Sequence, residues 1–199
     1  MITIIDYQMG NLRSVQKAFE RVGKDAIISG EPDKIIKAEK LVLPGVGAFG
    51  KAVYYLEKLK LKDHIIEMAK KGVPILGICL GKQLLMEESE EGGTYKGLAL
   101  IPGKVVKFSE GKKVPHIGWN QIEIEREVPI LKNIPEDSFF YFVHSYYALP
   151  DSDEYVISVT DYNGKFPSII GNKNIFGIQF HPEKSQKYGL EILKNFSEM

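Results

Sequence analysis

The sequence predicts a three-layer α/β fold whose central sheet is mixed but mainly parallel, with an antiparallel C-terminal part. Two observations carry that expectation. In the first half, short apolar runs alternate with helical patterns; in the second, short strand-like runs follow one another with turn residues between them.

Residues 2–5 read as a strand, 11–22 as a helix, and 26–29 and 41–43 as strands. Residues 48–71 read as mostly helical. Residues 74–78 form a buried strand pattern leading into Cys79, and 83–86 resume a helical pattern. Such alternation predicts parallel strands covered on both faces. Further on, 104–108, 119–125, 139–143, 155–160, 168–171 and 175–179 read as short strands. Asn163-Gly164 and Gly171-Asn172 tolerate positive φ between such runs, and 186–196 closes the chain as a helix. No repeat, low-complexity tract or linker interrupts the pattern, so residues 1–199 are expected to form one domain.

At 199 residues and 44% hydrophobic, the chain can bury a full core without staples. Twenty-six basic residues balance twenty-six acidic ones, so no long-range field favours nucleic acid or an anionic membrane. Neither a basic leader nor a membrane-length apolar run is present, and a soluble cytoplasmic protein is expected. The single cysteine, Cys79, cannot form an internal disulfide or by itself supply a cysteine-rich metal site. No metal and no cofactor are expected. Cys79 is either an inert core residue or a reactive thiol.

Its neighbours favour the thiol. Gly77-Ile78-Cys79-Leu80-Gly81 lies between a buried strand pattern and a helical one. A tight strand-to-helix turn strains the central residue and pushes its side chain out at the carboxyl edge of the sheet, and glycines two positions away on each side leave room for the chain to fold back. The first free N–H groups of the helix then face the sulfur and favour negative charge there.

A thiol nucleophile needs a base, and the candidates are His64, His116, His144 and His181. His64 lies in a charged helical pattern, where an exposed imidazole is the ordinary explanation. His181 ends the apolar run 175–180 and is followed by Pro182 and Glu183. Pro182 biases His181 toward extended backbone, so Glu183 leaves the strand on a stiff tether and can turn toward the imidazole. A carboxylate there selects the tautomer and stabilises the imidazolium.

These two segments, G-I-C-L-G-K-Q at 77–83 and F-H-P-E at 180–183, resemble the signatures of the class I (triad) glutamine amidotransferases, in the expected order along the whole chain. The resemblance implies a flavodoxin- or Rossmann-like sheet. It further implies that Cys79 attacks the side-chain amide of L-glutamine, His181 shuttles the proton to departing ammonia, and Glu183 orients His181. Pro44-Gly45-Val46-Gly47 looks like the family's oxyanion strand, its plainer reading being a Gly-rich turn. Two glycines let a peptide plane lie against a ligand or flip, so Gly45 and Gly47 would free an N–H near Val46 to join that of Leu80 at the oxyanion. By the same carry-over, Gln83 and Glu91 hold the amino-acid end of the substrate, assisted by backbone groups at Ser145 and Tyr146.

Residues 6–7 with 10–15, and segments 44–50, 116–120 and 141–146, resemble the glutaminase subunits of imidazole glycerol phosphate synthases. The implied partner is a (β/α)8-barrel cyclase subunit, in a heterodimer, with Asn11, Trp119, Tyr141 and Lys184 at the interface. The plainer reading of Trp119 is a core aromatic, and of Tyr141 a strand packing residue. Two departures from the family pattern stand out, Gln8 for a small residue and Lys82 for Met. Lys82 reads as solvent-facing, or as a cation depressing the pKa of Cys79. Two rival readings share the triad: a glutaminase feeding another synthase, such as one amidating a surface-polysaccharide sugar, and a silent subunit that only structures its partner.

Overall fold

The computed structural model describes residues 1–109 and 113–199. The chain opens with β1 (Ile2–Ile5), α1 (Leu12–Arg21), β2 (Ala26–Ser29), the single turn α2 (Pro32–Ile35) and β3 (Lys40–Gly45). Then come α3 (Phe49–Lys58), α4 (Lys62–Lys70), β4 (Ile75–Cys79), α5 (Leu80–Leu84), β5 (Met86–Ser89) and β6 (Tyr95–Lys96). The second half holds β7 (Ile101–Lys107), β8 (His116–Gln121), β9 (Glu123–Ile124), β10 (Phe139–His144), β11 (Tyr146–Pro150), β12 (Val156–Asp161), β13 (Lys165–Asn172), β14 (Ile175–Ile178) and α6 (Gln186–Glu198).

The main sheet runs in the order β2-β1-β3-β4-β14-β13-β12-β9. Its strands are parallel from β2 to β14. They are antiparallel from β14 to β9. Strand alternation divides the apolar residues between two cores. Ile4, Val42 and Ile78 pack with Phe19 of α1 and Phe196 of α6. Ile5, Leu41, Leu43 and Ile75 face Leu56 of α3 and Ile65 of α4. Helices on both faces complete the three layers.

The structure corrects several local expectations. Residues 48–71 are mostly helical, as expected, but in two helices broken where Lys60 takes φ 57°. There Lys60 N–H reaches Glu57 O and Leu61 N–H reaches Leu56 O, a left-handed stop made without glycine. The helix over 83–86 ends at Leu84, and Met86 instead begins β5, which pairs parallel with β7. The expected strand 119–125 is two: β8 pairs with β10 outside the main sheet, whereas β9 joins its edge. Gly171-Asn172 stays within β13, and Lys173 is the positive-φ residue of that hairpin. Asn163-Gly164 does carry positive φ at both positions.

Sheet register places the candidate residues. β3 pairs with β4 so that Gly45 lies beside Cys79, and β14 flanks β4 on the other side with Ile178 beside Ile78. The chain leaving β14 therefore runs past Cys79 as Gln179, Phe180 and His181.

Candidate active site

Cys79 closes β4 and caps α5 with φ 54° and ψ −109°. A residue with a Cβ rarely adopts this conformation, at a cost of roughly 1–3 kcal/mol, and it persists only where the surroundings over-determine it. Those surroundings are tight. A Cβ on Gly81 would overlap the Leu43 carbonyl of β3, and one on Gly77 would meet the Gly81 carbonyl 2.6 Å away. Helix α5 thus starts directly over the strand ends, and the chain must turn at Cys79.

Cys79 opens onto a cavity of about 290 Å³, lined also by Val46, Gly47, Leu80, Gln83, Glu91, Val143, His144, Ser145, Tyr146 and His181. That volume lies at the small end of the ~300–1,000 Å³ typical of ligand sites, which suits an amino acid. Every expected oxyanion and substrate residue lines it except Gly45, which sits behind Val46 in β3. Gln83 donates from Nε2 to the Tyr146 carbonyl at 2.9 Å. Glu91 accepts the Phe49 N–H at 2.8 Å, capping α3 with one carboxylate oxygen. Part of its capacity is thereby structural.

His181 donates from Nδ1 to Glu183 Oε1 at 2.8 Å, both side chains being almost fully buried. Burial opposes the imidazolium, but hydrogen bonding to and attraction by Cys79 and Glu183 outweigh it and push His181 up to about 10. The sulfur raises the ring through a hydrogen-bonding as well as a charge contribution, although Nε2 is not aligned for a full hydrogen bond among the described residues. The remaining sulfur contacts are long: Sγ lies 3.9 Å from both the Val143 carbonyl and Gln179 Nε2. Gln179 is buried in an otherwise apolar run, the one sequence signal that marked it.

His116 and His144 form a relay to which sequence reasoning assigned no role. His144 Nδ1 donates to the Tyr146 carbonyl at 2.8 Å, His116 Nδ1 to His144 Nε2 at 3.1 Å, and Asn120 Nδ2 to His116 Nε2 at 3.3 Å. This is the one order in which every link has both a donor and an acceptor. Burial drives His116 down to about 4 and His144 to about 3, so both rings stay neutral at ordinary pH. The relay ends on the carbonyl that also receives Gln83. The readable signal was period-two spacing, which puts His144 on the buried face with Phe140 and Phe142.

Lys82 is not solvent-facing: it is fully buried, its stem fills the space beside Gly177, and Nζ donates to the Pro167 carbonyl at 2.5 Å. Burial pulls its pKa from 10.5 down to about 7, partly opposed by Cys79. The unfolded chain keeps this proton to higher pH than the folded protein, so native stability rises as pH climbs from about 7 toward 10.5. Lys82→Met is expected to remove the penalty. After the lost hydrogen bond is discounted the net gain is roughly 2 kcal/mol, or about 4–8 °C in Tm, at pH 7 and below. Melting curves at neutral and alkaline pH check this; an advantage that does not shrink with rising pH would refute it.

The expected interface residues fall at or near the surface. Trp119 is 46% exposed, its ring 6.2 Å from that of Tyr141, with Lys184 Nζ 5.7 Å from the Tyr141 ring. Asn11 is exposed at the start of α1. Neither Trp119 nor Tyr141 is a core aromatic. Tyr141 is also tied to the site, because its carbonyl accepts the His181 N–H at 2.9 Å. Among the described residues, no group of three or more His, Cys, Asp or Glu is placed to hold a metal, and no helix is long and apolar enough to cross a membrane.

Comparison with known proteins identifies the family. The model of the family described as glutamine amidotransferase class-I matches residues 3–199. The chain is 50% identical to "Imidazole glycerol phosphate synthase subunit HisH" of Moorella thermoacetica, over 100% of this chain and 94% of that one. It is 48% identical to the protein of the same name in Methanocaldococcus jannaschii, over the full length of both. Among solved structures, PurLQS from Thermotoga maritima superposes with a TM-score of 0.79 at 21% identity, covering 99% of this chain and 97% of that one. The strained cysteine, the His-Glu pair facing it and relatives about half identical along the whole chain lead to one conclusion: this protein belongs to the class-I glutamine amidotransferases, within the group of HisH subunits.

Proposed function

We propose that this chain is the glutaminase subunit of imidazole glycerol phosphate synthase, acting in the cytoplasm as a heterodimer with a (β/α)8-barrel cyclase subunit. One observation carries the chemistry: a cysteine forced into positive φ at a strand-to-helix turn shares a small cavity with a carboxylate-braced histidine.

The steps follow from that arrangement. Cys79 attacks the side-chain carbonyl carbon of L-glutamine as the thiolate, and the N–H groups of Val46 and Leu80 receive the oxyanion. The C–N bond breaks as the His181 imidazolium protonates the departing nitrogen, leaving a thioester and ammonia. Neutral His181 then takes a proton from water, which attacks the thioester and releases glutamate and the thiolate. Glu183 holds Nδ1 so that Nε2 faces the sulfur in both halves. Gln83, Glu91 and the backbone at Ser145 and Tyr146 hold the amino-acid end.

Ammonia loses its nucleophilicity once protonated in water, so the cavity must be capped by the protein that consumes it. Ile117, Trp119 and Phe139 expose apolar surface on the β8–β10 ribbon, beside Tyr141 and Lys184. A partner seated there would press on the strand whose Tyr141 carbonyl holds the His181 backbone.

The isolated chain is expected to turn over glutamine slowly, and addition of the cyclase with its nucleotide ligand is expected to raise the rate at least about tenfold, the scale of ordinary coupling energies. Glutamate release measured with and without the partner checks this. Equal rates would show that the partner does not activate the site, and activation by a different synthase alone would reassign the partner.

A further inference from the structure

The two proposed oxyanion donors lie on different elements, the Val46 N–H after β3 and the Leu80 N–H in α5. Between those elements lies the side chain of Tyr7. Tyr7 is fully buried, and its hydroxyl has no hydrogen-bond partner among the described residues. That oxygen lies against the Cα of Gly45: a Cβ built there would overlap it, and that Cβ position is itself 3.0 Å from Leu80 Cβ and 3.3 Å from Gly81 N. The phenol therefore reaches the seam between the strand and the helix that supply the two donors. Residues following Tyr7 pack along β3 and the turn after it: the Pro44 carbonyl lies 3.3 Å from the Cβ position of Gly10, and Met9 Cε 3.1 Å from that of Gly47. Burial, with the nearby negative charge of Cys79, pushes the phenol far above its ordinary range, so the hydroxyl keeps its proton at any working pH.

A buried hydroxyl without a partner costs stability, and phenylalanine would fill the same space without that cost. A bond made only in the reacting state accounts for both the location and the missing partner. We propose that Tyr7 is a positioning residue for the oxyanion hole: as the Val46 N–H turns toward the oxyanion, the Gly45 carbonyl of the same peptide turns away, and the Tyr7 hydroxyl donates to it. Gly45 must lack a side chain so that the hydroxyl can lie against its Cα. Because the bond forms with the oxyanion, it lowers the barrier and leaves substrate binding nearly unchanged.

The inference rests on Val46 serving as an oxyanion donor, and its test is Tyr7→Phe in the complex with the cyclase. We expect kcat for glutamine to fall about tenfold or more with KM within about twofold, because transition-state contacts act on kcat. Tm should stay level or rise by a few degrees. An aldehyde analogue of glutamine, which forms a tetrahedral adduct with the thiol, should bind more weakly by the same factor as kcat falls. Unchanged kcat, or a Tm that drops together with kcat, overturns the proposal. If Tyr7→Phe is fully active while Cys79→Ala is inactive, only the role of Tyr7 fails. If Cys79→Ala is itself active, the glutaminase reading fails first.

Discussion

Cys79→Ala is expected to lower glutamine-dependent synthesis by the complex by about 10⁴-fold or more while leaving synthesis from added ammonium salt at its wild-type rate. The first expectation follows from the chemistry: with no thiol there is no thioester, and binding plus the oxyanion donors alone leave only a small residue of catalysis. The second follows from the fold. Alanine has a Cβ just as cysteine does, so the strained turn at φ 54° is neither relieved nor worsened, and the partner meets the same surface. The pair of assays therefore separates loss of chemistry from loss of assembly. Equal loss in both would mean that Cys79 holds the interface together, and no loss in either would make the subunit a silent one.

That turn was legible because it is over-specified locally. A buried apolar run, two glycines spaced around the cysteine and an apolar stretch beyond them leave few ways to fold, and the contacts of Gly77 and Gly81 show the crowding that the spacing implied. His181, Pro182 and Glu183 were legible for a similar reason, since three adjacent residues needed no tertiary knowledge to meet. Where packing decides, the reading failed. Leu84, Leu85 and Met86 are all fully buried, so periodicity gave no signal that the helix stops and a strand begins between them. Lys60 ends α3 in a left-handed conformation that glycine normally marks. At the start of the helix after Cys79, Lys82 reads equally as solvent-facing or as a cation near the thiol, and only the three-dimensional neighbours Gly177 and Pro167 explain where its buried stem and amine lie. The His116–His144 relay joins residues 28 positions apart across a ribbon whose pairing no local pattern announced.

Glu183→Gln tests the other half of the site, and its expected loss in glutamine turnover approaches roughly 10⁴-fold, the scale reached when a triad carboxylate becomes an amide. Glutamine is nearly isosteric but neutral. It either accepts from Nδ1 without stabilising the positive ring or offers Nδ1 a donor, which places the ring proton on Nε2 and blocks proton transfer from the sulfur. Stability should report the same charge. His181 holds its proton to about 10 in the folded protein, against an ordinary value of 6.5. That stabilisation is fully present below about pH 6.5 and is lost as pH rises through about 10. Without the carboxylate the ring sheds its proton at lower pH, so the variant should be less stable than wild type by on the order of 2–4 kcal/mol in mildly acidic buffer. The gap should close toward pH 10 and can reverse beyond it, because wild type then keeps a buried carboxylate beside a neutral ring while the variant has no charge to bury. Denaturant titrations at several pH values measure the gap directly. A deficit independent of pH would show that Glu183 contributes packing alone, and the imidazolium would then owe its proton to the sulfur.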